Sequence, residues 1–221
     1  MGAGISGIAA GYNLKKSCPN KSFLVLEGRA SVGGTWDLFK YPGIRSDSDM
    51  HTLGYRFKPW IHDKSIADGP SILEYIKETI DENNLMQNIH LKNKVSSANW
   101  NSKKSIWELE VKEEENLKKI TCNFLFLCGG YYSYTKPHIP HFKNQEKFNG
   151  QIIHPQFWNE TIDYKNKKIA VIGSGATAVT IVPEIAKKAE HVVMIQRSPT
   201  YVVSRPSEDA INKFLKRFLP V

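Results

Sequence analysis

Met1-Gly2-Ala3-Gly4-Ile5-Ser6-Gly7 sets glycines at positions 2, 4 and 7, the spacing G-x-G-x-x-G. Each glycine has its own mechanical task there: a tight turn, a close backbone approach to a pyrophosphate, and close packing of the helix that follows. The stretch from Ile8 to Lys16 reads as that helix. Its free N–H groups and partial positive charge favour a phosphate. A short, partly β-branched run from Phe23 to Leu26 reads as the next strand, and Glu27 ends it. A carboxylate at that point accepts hydrogen bonds from ribose hydroxyls, which sets this loop apart from a chance run of glycines.

The unit occurs a second time. Lys167 to Ile172 is a compact apolar strand leading into Gly173, Gly175 and Ala178, spaced G-x-G-x-x-A. Ala176 to Lys188 reads as a helix and His191 to Ile195 as the following strand, a repeat at domain scale. This strand is followed by Gln196-Arg197 where the first ended on Glu27. A carboxylate favours free ribose hydroxyls, whereas an arginine pairs with the 2′-phosphate of NADP; the plainer alternative is a solvated surface arginine. The first loop therefore suits FAD and the second NADPH, two platforms that bring a nicotinamide against a flavin for hydride transfer. The expected fold is α/β with two Rossmann-like dinucleotide-binding units: an FAD domain over 1–143 and the first half of an inserted NADPH domain over 144–221. No strand precedes the first loop, although that strand is central in such a sheet. The expectation is a fragment or a misplaced start.

Between the loops, Gly28 to Asp49 is rich in turn formers, and Ser71 to Asn83 reads as an amphipathic helix with Ile72, Tyr75, Ile76 and Ile80 on one face. Ile89 to Leu91, Val95 to Trp100, Ser105 to Val111 and Ile120 to Leu127 read as a strand and meander series, with a turn at Asn101 to Lys104. Lys136-Pro137-His138-Ile139-Pro140 reads as a domain boundary. Ala210 to Leu219 reads as a basic amphipathic helix, packed on the core or beside a lid, with peripheral membrane contact as the alternative.

Composition bounds the rest. The 221 residues carry 30 Lys and Arg against 22 Asp and Glu, a net charge of +8. The lysines are spread along the chain and no nucleic-acid motif accompanies them, so they read as a solvated surface and not as a nucleic-acid site. No apolar run is long enough for a transmembrane helix, and no signal-peptide pattern opens the chain. Three cysteines, Cys18, Cys122 and Cys128, include no CxxC or CxxxxC pair. Neither a metal site nor a redox dithiol is expected, and a cytoplasmic setting fits.

Three further stretches carry a resemblance: Gly33-Gly34-Thr35-Trp36, Tyr41-Pro42-Gly43-Ile44-Arg45-Ser46-Asp47, and Phe148-x-Gly150-x-x-x-His154-x-x-x-Trp158. The last matches F-x-G-x-x-x-H-x-x-x-W between two glycine loops. The chain thereby resembles the N-terminal portion of the flavin-dependent Baeyer–Villiger monooxygenases, in their ethionamide-activating branch. The resemblance implies that Gly2, Gly4, Gly7, Glu27, Gly34, Thr35 and Trp36 line FAD. It places Asp47 beside the flavin, where it modulates an active-site arginine, and returns the chain to FAD at Leu127-Cys128-Gly129-Gly130. It gives Gly173, Gly175, Thr177, Ala178 and Arg197 to NADPH, and has His154 couple nucleotide binding to domain movement. Taken singly, Trp36 and Trp158 also read as core aromatics, Asp47 as a helix cap and His154 as a structural histidine.

The resemblance further implies that NADPH reduces FAD, O2 reacts with the reduced flavin, and one oxygen enters a ketone or aldehyde to give an ester or lactone. A thioether substrate would give a sulfoxide. The family's catalytic arginine falls beyond the position of Val221, so the chain alone is not expected to turn over. Two alternatives stand beside this: a flavin-containing monooxygenase oxidising nitrogen or sulfur, and a truncated nucleotide-binding remnant without catalysis.

Overall fold

Helix α1 (Ile5–Ser17) starts directly behind Gly4 and buries Gly7, Ile8 and Gly11. Gly11 leaves room for the ring of Phe23 and a methyl of Val25. Lys15 and Lys16 fall in its last turn, where a cation complements the helix dipole. Lys15 also donates to the carbonyls of Asn83 and Asn84 at 2.8 and 2.9 Å. The computed structural model describes residues 1–159, 161–215 and 218. The chain divides into two compact units: Met1–Leu38 with Ile72–Tyr132, and Phe39–Ser71 with Ser133–Val221.

In the first unit, β1 (Val25–Leu26) pairs in parallel with β2 (Ile89–His90), Val25 opposite Ile89. The strand expected over Phe23 to Leu26 is thus confined to its last two residues. β2 pairs with β1 rather than opening the meander. Beyond it, β3 (Asn93–Asn101), β4 (Ile106–Glu113) and β5 (Asn116–Cys122) form an antiparallel three-stranded sheet. Trp100 and Trp107 face each other across β3 and β4, ring centroids 5.5 Å apart. Leu109 and Val111 are buried together with Leu26. The strand expected to run on to Leu127 stops at Cys122, where its ladder on β4 ends with the Trp107–Cys122 pair. Phe124 past that point is 82% exposed.

The turn-rich stretch after Glu27 holds two four-residue helices that no periodicity announced, α2 (Thr35–Leu38) and α3 (Met50–Leu53). Asp49 caps α3 by accepting from the Thr52 N–H at 3.0 Å, so the cap signal in this stretch belongs to Asp49 and not to Asp47. Helix α4 (Gly69–Glu82) follows, its first turn closed by Asp68, which accepts from the N–H and hydroxyl of Ser71. Ile72, Tyr75, Ile76 and Ile80 are buried as their spacing requires. Each of the three isoleucines contributes roughly 1.5–3 kcal/mol.

In the second unit, β6 (Lys168–Ile172), α5 (Ala176–Ile185) and β7 (His191–Ile195) form a strand–helix–strand unit, with Lys168 opposite His191 through Ile172 opposite Ile195. α5 ends short of the expected Lys188, two residues after Pro183, which lacks an N–H for the helix ladder. The stretch from Phe39 to Ser71 brings its own aromatic packing to this unit. Tyr55 stacks on Phe57 at 4.8 Å, and the buried Trp60 donates to the Lys64 carbonyl at 2.7 Å. α6 (Ala210–Leu215) realises the start of the expected tail helix, whose continuation at 216, 217 and 219 lies outside the described residues. Among the described residues, no helix is long and apolar enough to cross a membrane.

Candidate functional site

The first glycine loop is held from three sides. Gly2 has φ +96°, the left-handed region that favours glycine, and donates to the Leu26 carbonyl at 2.8 Å. A Cβ on Gly7 would run into the Gly2 carbonyl, and one on Gly2 into the carbonyl of Cys128. Cys128 in turn donates its N–H to the Met1 carbonyl at 2.8 Å. The segment Leu127 to Gly130 therefore comes back to the loop, as the resemblance implied. Gly4 is the N-cap of α1 and brings no side-chain cap, and no acidic residue occupies the first turn. A helix N-terminus of this kind, with no acidic side chain on it, favours an anion.

Glu27 is buried, 1% exposed, and both of its carboxylate oxygens are engaged. Oε2 accepts from the Ala3 N–H inside the glycine loop at 2.8 Å, and Oε1 from the Arg29 N–H at 2.9 Å. A carboxylate oxygen has more than one lone pair, so each can still accept a ribose hydroxyl. Gly33 donates to the Ala3 carbonyl at 2.9 Å, which seats Gly34, Thr35 and Trp36 beside the loop. A Cβ on Gly4 would stand in ordinary contact with the Gly34 backbone, 3.5 Å from its Cα. An ion pair from Arg29 to Asp37 at 2.7 Å closes this second loop, reinforced by the Ser31 hydroxyl on Asp37. Arg29 and Asp37 are site-building residues that no motif had marked.

The second loop shares its plan and differs in its surroundings. Gly173 has φ +121° and donates to the Ile195 carbonyl at 2.8 Å, tying the loop to the end of β7. Gly175 caps α5, again without a side-chain cap, and Ala178 is buried in the first turn beside the half-buried Thr177. A Cβ on Gly175 would meet nothing within 4 Å. The chain's own packing thus gives no reason for glycine at 175. The open space before the helix is what a pyrophosphate needs. Ser174 bonds the carbonyl of Ser198 and the hydroxyl of Thr200, bringing the segment that bears the exposed Arg197 alongside the loop.

The Phe148 to Trp158 stretch is locally self-consistent. The Phe148 ring lies over Gly150, where a Cβ would stand 2.5 Å from Cζ. His154 caps the short helix Pro155–Phe157, its Nδ1 accepting from the Gln156 N–H at 3.2 Å. In the neutral ring this leaves the proton on Nε2. Buried Gln156 donates to the Ser133 carbonyl at 2.6 Å, and Trp158 packs edge-on against Tyr164. Asp47 is exposed, two residues after Arg45, which forms a bridge with Asp68.

Comparison with known proteins agrees with this geometry. A model of the flavin-binding monooxygenase-like family matches residues 58–215, and one of the NAD(P)-binding Rossmann-like domain matches residues 1–62. The chain is 53% identical over 221 residues to the FAD-containing monooxygenase EthA of Mycobacterium tuberculosis, covering 100% of this chain and 45% of that protein. It is 51% identical to the probable FAD-binding monooxygenase AlmA of Acinetobacter sp, covering 99% of this chain and 44% of the relative. The chain therefore spans less than half the length of these relatives. Among solved structures, an oxidized steroid monooxygenase bound to NADP superposes with a TM-score of 0.82 at 27% identity, over 98% of this chain and 41% of its own. OTEMO in complex with FAD and NADP gives 0.76 at 28%, over 90% and 38%. The chain belongs to the flavin-binding monooxygenase-like family.

Proposed function

We propose that the chain carries the FAD site and the first part of the NADPH site of a cytoplasmic Baeyer–Villiger monooxygenase, acting with O2 on ketones or aldehydes and, secondarily, on thioethers. The observation that carries this is the pair of glycine-started helix N-termini at Gly4 and Gly175, neither with a side-chain cap, one beside buried Glu27 and the other beside Arg197. A division by cofactor into 1–143 for FAD and 144–221 for NADPH is part of the reading. FAD, when bound, supplies the electron transfer and the activation of oxygen. Gly2, Gly4 and Gly7 bring the α1 N–H groups to its pyrophosphate, Glu27 takes the ribose hydroxyls, and Gly34, Thr35 and Trp36 line its approach. Gly173, Gly175, Thr177 and Ala178 do the same for NADPH, and Arg197 selects the 2′-phosphate. Asp47, exposed at the end of a braced segment, holds a cation in place near the flavin. His154, with its proton on Nε2, donates to the nucleotide side and passes its occupancy to the Gln156–Ser133 contact. The relatives' names, FAD-containing and FAD-binding monooxygenase, support the flavin part.

Titrating the purified chain with FAD and NADP+ tests the reading. Saturable binding of both, with NADP+ favoured over NAD+, is expected, and binding of neither refutes it. Supplying FAD, NADPH and O2 with a cyclic ketone and a thioether, to this chain and to a longer form completed from its relatives, separates the chemistries. Ester or lactone formation supports the Baeyer–Villiger reading. Oxidation of the thioether alone points to a nitrogen- and sulfur-oxygenating enzyme.

A further inference from the structure

The segment that bears Asp47 is fastened to the helix of the second glycine loop. Tyr41-Pro42-Gly43-Ile44 closes a turn through the Ile44 N–H on the Tyr41 carbonyl at 3.2 Å. Proline at its second position and Gly43, φ +77°, at its third are the signature of a type II turn. Gly43 lies directly on α5. A Cβ there would stand 2.5 Å from Cγ of Glu184, 3.2 Å from the carbonyl oxygen of Thr180 and 3.3 Å from Cγ2 of the same residue. Thr180 is buried, and part of the contact is helix backbone, which no rotamer change relieves.

From this turn to Asp47 the chain is braced at every residue. Gly69 donates to the Ile44 carbonyl at 2.8 Å, Arg45 and Asp68 form an antiparallel bridge, and Ser46 donates to the Ala67 carbonyl at 2.9 Å. Asp47 is the next residue. The same segment is tied again to the chain beyond β7: Ser65 donates its N–H and hydroxyl to the Ser207 carbonyl at 2.8 and 3.1 Å, and Arg205 pairs with Asp49 at 3.7 Å.

We propose that Gly43 is a positioning residue, whose contact with Thr180 and Glu184 registers the Asp47 segment on α5 and makes the order of that segment depend on nucleotide at the α5 N-terminus. The inference rests on the reading of the second loop as an NADP site. A pyrophosphate that immobilises α5 restricts whatever is packed against it, so the effect is one of ordering and needs no displacement.

Hydrogen exchange of the 221-residue chain, with and without NADP+ and with no FAD added, tests this. NADP+ is expected to slow exchange at 173–178 and also, by about fivefold or more, at 44–47. In Gly43→Ala the slowing at 173–178 should remain and that at 44–47 should be lost. Protection at 173–178 with 44–47 unchanged in the wild-type chain overturns the inference, as does full protection of 44–47 in Gly43→Ala. The wild-type comparison decides the matter even where the variant does not fold. No slowing at 173–178 means that the nucleotide reading itself fails and takes the inference with it.

Discussion

Glu27→Gln separates the two tasks that the structure gives this residue. The substitution keeps size and shape, so no cavity forms in a site that is 1% exposed. What changes is that two acceptor oxygens become one acceptor and one NH2 donor. In the wild-type chain Oε2 faces the Ala3 N–H at 2.8 Å and Oε1 the Arg29 N–H at 2.9 Å. Whichever way the amide turns, one N–H then faces another donor. Ala3 is fully buried, whereas Arg29 is more open, so the amide oxygen stays on Ala3 and the Arg29 backbone N–H loses its Glu27 acceptor. One hydrogen bond to a charged acceptor contributes about 1.5–3 kcal/mol, so a loss of about 2 kcal/mol is expected. For a chain of this length that lowers the melting temperature by roughly 4–8 °C. The measurement is thermal unfolding by circular dichroism without nucleotide, so that a lost ribose contact does not enter. A melting temperature within about 1 °C of the wild type would refute the structural role of this carboxylate. A further loss of FAD affinity, beyond the ligand-free effect, would report the ribose contact.

The glycines give a graded series. Gly7→Ala drives a methyl into the Gly2 carbonyl and should weaken FAD binding about a hundredfold or more in equilibrium titration, whereas Gly11→Ala meets only ordinary contacts and should stay within about twofold. Gly175→Ala should leave the ligand-free melting temperature unchanged while weakening NADP+ binding, since a Cβ there meets nothing in the chain. Arg197→Ala should weaken NADP+ binding about tenfold and leave NAD+ binding unchanged, as loss of a charge-assisted contact to the 2′-phosphate requires; equal losses for both nucleotides would count against that role. Asp49 and Asp68 set an acid limit. Burial pushes each carboxyl up, but hydrogen bonds from Thr52 on Asp49 and from Ser71 on Asp68, with the charges of Arg205 and Lys64, outweigh it and hold both below the ordinary aspartate value. A depressed folded-state pKa contributes stability that is fully present above the unfolded value of about 3.9 and is lost as the pH falls through the folded one. Denaturant titrations should therefore show stability falling below about pH 4, less steeply in Asp49→Asn and Asp68→Asn than in the parent chain.

The parts legible in the sequence are those whose residues answer to local rules. Glycine spacing marks where a backbone must turn left-handed or be approached closely, and both loops lie where Gly2 to Gly7 and Gly173 to Ala178 put them. The apolar spacing of Ile72, Tyr75, Ile76 and Ile80 found α4 to within two residues of its start. What escaped depends on partners far away in the chain. Phe124 to Leu127 has the composition of a strand, yet the ladder on β4 runs out at Cys122. Helices α2 and α3 are four residues long, too short to show a period. Nothing local could show that Ser65 meets Ser207, 142 residues on, or that Phe39 to Ser71 joins the unit of the second loop.

That last placement bears on how the two glycine loops differ. In the first, glycine is demanded by the protein at two positions, where Gly2 and Gly7 are packed against carbonyls of Cys128 and of Gly2 itself, whereas a Cβ on Gly4 would meet only ordinary contacts. A side chain at Gly2 or Gly7 would break the loop whether or not a nucleotide ever bound. In the second, Gly173 answers to its backbone angle, but Gly175 has an ordinary φ of −74° and open space around it. The described packing places no requirement there, and on the proposed reading the glycine admits the close approach of a pyrophosphate. Gly4 and Gly175, the two helix N-caps, are thus the glycines that the proposed nucleotides would account for. Gly175 sits one residue before the helix on which Gly43 and the Asp47 segment are mounted, so on the proposed reading the placement of that segment is tied to the nucleotide site.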